Sequence, residues 1–108
     1  MSSLSVAAVV VSHAAPEFLE KTLDALADQT YKPEQIVVVD TAGDAQSQEI
    51  IRSRGLAMVQ PGDLRLGAAI AAGIASLQQK PNWLWLLHDD SAPEPNALER
   101  LSIAAEIS

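Results

Sequence analysis

Short apolar runs at residues 4–11, 35–39, 56–59 and 83–87 alternate with longer stretches in which apolar residues recur every three or four positions. The first two runs are nearly continuous in Val, Ile and Ala, the pattern of strands buried on both faces. Between them, Phe18, Leu19, Thr22, Leu23 and Leu26 share a helical spacing. Pro16 sits where a first turn tolerates it, and Glu17 and Glu20 lie where the helix dipole favours acid, so the spacing predicts a helix over 16–28. A second helix is predicted over 45–54, with Ile50 and Ile51 turned inward and Gly55 as its stop. A third, over 65–79, is built of small residues, with Gly67 and Gly73 lowering helix propensity while permitting close packing. Residues 96–107 form a last amphipathic stretch through Leu98, Leu101, Ile103, Ala104 and Ile107. It stops at Ser108 with no glycine cap and no polar tail, as expected of a piece of a longer protein.

Strands that alternate with helices at this spacing make one α/β domain, a parallel sheet of about four strands with helices on both faces. Ligands of such sheets bind outside the carboxyl ends of the strands, near the point where strand order reverses. Three of the predicted strands end in polar groups: Ser12-His13, Asp40, and His88-Asp89-Asp90. The loop after the third strand adds Asp63 and Arg65. This convergence predicts a functional cleft.

Composition narrows the function. A net charge of −7 excludes a general nucleic-acid binder, which needs a basic surface to neutralise phosphates. With 48% hydrophobic residues the chain reads as an ordered globular domain, and the lack of cysteine excludes disulfides and thiolate metal sites. A reducing, cytoplasmic setting is the simpler expectation. No apolar run approaches the roughly 20 residues of a membrane-spanning helix, and the first apolar run reads as a strand rather than a signal peptide.

The acidic end of the fourth strand carries the candidate chemistry. Adjacent carboxylates about 4 Å apart repel by roughly 4 kcal/mol at an effective dielectric of about 20, a cost relieved by solvation, separation or a cation. Strand alternation puts His88 and Asp90 on one face and Asp89 on the other, so Asp90 is the preferred ligand if a metal binds; a solvated acidic turn is the other reading. No glycine-rich dinucleotide fingerprint, phosphate loop, zinc-protease helix motif or Gly-x-Ser-x-Gly elbow is present. Without a backbone phosphate cradle, a diphosphate would need a bridging Mg²⁺ or Mn²⁺, which takes oxygen ligands and often one or two carboxylates.

Three segments give the chain a resemblance: VAAVVVSHAAPEFLEKTLDALADQTYKPEQIVVVD (6–40), RLGAAIAAGI (65–74) and WLWLLHDDSAP (83–93). Together they resemble the Rossmann-like nucleotide-binding half of family 2 glycosyltransferases with the GT-A fold, over nearly the whole length. The resemblance implies that Ser12 and His13 line the base pocket, that Asp40 helps hold the nucleoside and that Arg65 lies near the nucleotide. It implies further that His88-Asp89-Asp90 occupies the family's Asp-x-Asp position, with Asp90 on the metal and the earlier two near ribose or sugar. His88 stands in place of the usual first Asp, Thr41 in place of a frequent Asp, and Ala71 in place of a frequent Asn. Inverting transfer from a nucleotide-diphosphate sugar to a carbohydrate or lipid-linked acceptor is implied, at the cytoplasmic side of a membrane if the full protein has membrane segments. The general base is expected outside these residues, so the isolated chain is expected to be inactive. The alternative is a non-catalytic nucleotide-binding module, or one that self-associates through surfaces left by the missing half.

Each singled-out residue also has a structural reading. His13 could cap the following helix, Asp40 the turn after its strand, and Arg65 could balance Asp63 at the surface. His88 could sit at the sheet edge, and Trp83 and Trp85 read as packing residues rather than sugar platforms.

Overall fold

A computed structural model describes residues 5–30, 32–60, 66–81, 83–89, 91 and 93–99. Its elements run β1 (Val6–Ser12), α1 (Pro16–Ala27), β2 (Gln35–Asp40), α2 (Ala45–Ser53), β3 (Ala57–Val59), α3 (Leu66–Ala75) and β4 (Trp83–His88). The four strands form one parallel sheet in the order β3-β2-β1-β4. The chain winds from β1 outward to β3, then crosses back to add β4 on the other side of β1. The order therefore reverses between β1 and β4, where such sheets open a crevice at the carboxyl ends of their strands.

Alternation along the two central strands builds two cores. Ala8, Val10 and Val38 pack with Leu87 against Leu19, Leu23 and Leu26 of α1 and Ile51 of α2. Val9, Val37 and Val39 turn the other way and meet Ala69 of α3. Helices thus cover both faces, as the strand patterns require. Gly73 carries the closest approach of α3: a Cβ there would lie 2.8 Å from methyl groups of both Val9 and Val39.

Several sequence expectations need correction. α3 ends at Ala75 rather than at residue 79, because the backbone tightens there. The amides of Ser76 and Leu77 donate to the carbonyls of Gly73 and Ile74, each at 3.2 Å, and Ser76 Oγ also donates to Gly73 O at 2.7 Å. Gln79 is then held by Gln35 at the start of β2. Among the described residues nothing lies within 4 Å of a Cβ built on Gly67, unlike Gly73. Phe18 is 54% exposed, because it precedes the Leu19, Thr22, Leu23, Leu26 stripe by one position. Trp85 packs against the α1 core, but Trp83 begins the edge strand and is half-exposed. Of the expected last helix, a turn at 97–99 is seen, and the remainder lies outside the described residues. Among the described residues, no helix is long and apolar enough to cross a membrane.

Candidate functional site

The carboxyl end of β1 is a short, polar and strained piece of chain. Ser12 pairs in register with Asp40, and both fall on the α1 and α2 side of the sheet, in step with Val10 and Val38. Ser12 is fully buried, and among the described residues its Oγ has no partner. Its carbonyl accepts both the backbone N–H and the hydroxyl of Thr41, each at 3.0 Å. Ser12 thus lies beneath the rim and does not line the cavity described below. Ala14 has φ 51°, a left-handed conformation uncommon outside glycine, and it turns the chain from β1 into α1. Pro16 then opens α1 with no side-chain cap.

His13 is exposed at this bend. Its Nδ1 lies 2.9 Å from Thr41 Oγ1. A threonine hydroxyl has one hydrogen, and here it goes to the Ser12 carbonyl, so Nδ1 must be the donor. In its neutral form the His13 ring therefore carries its proton on Nδ1 and keeps Nε2 as an acceptor. Thr41, where the family pattern often has Asp, thus stitches β1 to β2 and orients His13.

Asp40 closes β2 as the sequence predicts, and it is 1% exposed. Its Oδ1 accepts the amides of Ala42 and Gly43 at 3.2 and 3.1 Å, and its Oδ2 accepts from Gln48 Nε2 at 3.1 Å. The turn-capping reading of Asp40 is therefore realised. Gly43 makes the turn possible with φ 68°. Asp44 then caps α2, accepting from the backbone amide of Ser47 at 2.9 Å and its hydroxyl at 2.8 Å. His13, Asp40, Thr41, Ala42, Gly43, Gln48 and Gln60 line a cavity of about 460 Å³ over the ends of β1 and β2. That volume lies in the range of small-molecule sites.

On the other side of β1, the end of β4 shows the expected alternation. His88 pairs with Val11 and is exposed on the α3 side of the sheet, where α3 packs over β1 and β2 and does not reach β4. Asp89 turns the other way: its Oδ2 accepts the His13 amide at 3.0 Å, and its carbonyl accepts from Thr22 Oγ1 at 2.7 Å. The structure so unites Ser12, His13, Asp40 and Asp89 along one rim of the sheet and leaves His88 facing away. Arg65, Asp63 and the expected metal ligand Asp90 lie outside the described residues. The donor set suits a hard cation, since the described part of this end offers carboxylate oxygen and no thiolate. Among the described residues no three His, Cys, Asp or Glu side chains converge.

Sequence reading noted Thr41 only as a departure from the family pattern and missed Gln48 and Gln60 of the cavity. A signal was present for Gln48: Gly43 followed by the Asp44 cap folds the first turn of α2 back toward Asp40. For Gln60, at the exit of a three-residue strand, no such signal existed.

A parallel four-stranded sheet with helices on both faces and a cavity at its polar strand ends defines a Rossmann-like α/β domain. Residues 7–106 match the family model Glycosyl transferase family 2, and the chain belongs to that family. Galactofuranosyltransferase GlfT1 from two strains of Mycobacterium tuberculosis is 38% identical over 109 aligned residues, covering 94% of this chain and 36% of that protein. The Mycolicibacterium smegmatis protein of the same name is 37% identical over 92 residues, covering 82% of this chain and 30% of that protein. The chain thus spans about a third of the length of the curated relatives it matches.

Proposed function

We propose that the whole protein is a glycosyltransferase that moves a sugar from a nucleotide-diphosphate donor to an acceptor hydroxyl with inversion, and that this chain supplies the donor and metal site. The observation that carries the reading is the shared rim of Ser12-His13, Asp40 and Asp89 beside the cavity at the carboxyl ends of β1 and β2. His13, with Nε2 free to accept, and the amides of Gln48 and Gln60 provide polar contacts for a base and ribose. The Asp40 turn, closed by its own hydrogen bonds, shapes one wall of that cavity. The names of the relatives make a nucleotide-linked galactofuranose the first donor to test, with a carbohydrate or lipid-linked acceptor.

Mg²⁺ or Mn²⁺ held by Asp90, with Asp89 close to ribose or sugar, would neutralise charge developing on the leaving diphosphate. Asp40 is committed to its turn and one Asp89 oxygen to His13, so the base that deprotonates the acceptor is assigned to the rest of the protein. The chain alone then binds donor without turning it over. A non-catalytic nucleotide-binding or oligomerisation module is the second reading. It is favoured by Leu84 and Leu86, which stand 41% and 51% exposed on the uncovered face of β4.

The test is isothermal titration of UDP into two variants, with and without Mn²⁺. Asp90→Asn is expected to abolish the Mn²⁺ enhancement. Asp89→Asn is expected to weaken binding about tenfold, as for one lost charge-assisted contact, while keeping the enhancement. Equal effects from the two would contradict their assignment to opposite faces.

A further inference from the structure

The chain leaving β4 is held from below by α1. Thr22 lies within the apolar stripe of Leu19, Leu23 and Leu26, fully buried, and its hydroxyl donates to the Asp89 carbonyl at 2.7 Å. Seven residues on, just past the Asp28 cap, Gln29 is buried and its amide reaches three ways. It donates to Ala25 O at 3.1 Å and Glu94 O at 2.6 Å, and it accepts the Leu98 amide at 3.0 Å. The Thr30 amide adds a bond to Pro95 O at 2.8 Å. Asp89 is therefore held by Thr22, and Glu94, Pro95 and Leu98 by Gln29 and Thr30.

We infer that Thr22 is a positioning residue for Asp89, with Gln29 as the second anchor of the same segment. Fixing the Asp89 carbonyl sets the peptide plane at the strand end. The carboxylate is then held across the switch point between β4 and β1, where its Oδ2 meets the His13 amide. The core does not ask for a hydroxyl at this position. Valine has nearly the same shape with no polar atom to satisfy, so a threonine in an apolar stripe points to the bond it makes across the layers. The role of Asp89 toward a donor rests on the proposed function above, whereas the holding of its carboxylate does not.

The test compares Thr22→Val and Thr22→Ser in the full chain with two readouts. The first is hydrogen exchange of the His13 amide, measured against the core amides of Val9 and Val38 to remove any global loss of stability. Thr22→Val is expected to speed His13 exchange about tenfold beyond the core amides, a factor corresponding to about 1.4 kcal/mol, and Thr22→Ser to stay near the parent. The second is UDP affinity with Mn²⁺, expected to fall in Thr22→Val and to be retained in Thr22→Ser. Unchanged His13 exchange in Thr22→Val, or equal loss in both variants, would overturn the inference. A response of His13 exchange in a parent chain that binds no nucleotide would uphold the positioning of Asp89 and sink the donor-site reading alone.

Discussion

At the scale of single residues, the rim of the sheet is governed by where each hydrogen bond goes. Asp40 satisfies two turn amides and Gln48, Thr41 satisfies the Ser12 carbonyl and orients His13, and Asp89 joins His13 to α1. Ser12 Oγ is the exception, a buried hydroxyl without a partner among the described residues. An unsatisfied buried polar group costs about 1–3 kcal/mol. Ser12→Ala is accordingly expected to stabilise the chain by about 1 kcal/mol, raising Tm by about 4–8 °C in a calorimetric scan, with nucleotide affinity unchanged. A fall in affinity would show that the hydroxyl reaches the ligand. At this scale sequence reading went far: the polar strand ends were visible as breaks in apolar runs, and alternation separated His88 from Asp89. It could not choose between capping and binding for Asp40, because both use the same carboxylate at the same strand end.

At the scale of elements, periodicity located all four strands and the first three helices, since each buries a distinct face against the sheet. Element ends were less legible. The expected end of α3 overran because small residues continue past Ala75 and only the local Ser76 bonds reveal the stop. The two glycines of α3 looked alike in sequence, yet they sit in opposite surroundings. Gly73→Ala is expected to cost about 1–3 kcal/mol through overpacking against Val9 and Val39. Gly67→Ala meets nothing among the described residues and is expected to be neutral or to stabilise by up to about 1 kcal/mol through helix propensity. Chemical denaturation of both variants checks the pair, and similar shifts would contradict the close approach of α3 at Gly73.

At the scale of the whole molecule, strand order is the feature that sequence pattern did not specify. Alternating strands and helices imply a parallel sheet, but only the pairing of β1 with both β2 and β4 puts the switch point between His13 and Asp89. The same topology leaves Leu84 and Leu86 bare, because α3 packs over β1 and β2 and stops short of β4. The chain belongs to glycosyl transferase family 2 and spans about a third of the length of the curated relatives it matches, and the proposal above reads it as a donor-binding part. The most direct test of that claim is a calorimetric titration of UDP, GDP and dTDP into this chain, with and without Mn²⁺. Saturable binding of at least one nucleotide that strengthens with Mn²⁺ is the expected result. The absence of metal-dependent binding by all three would contradict the donor site at the carboxyl ends of β1, β2 and β4.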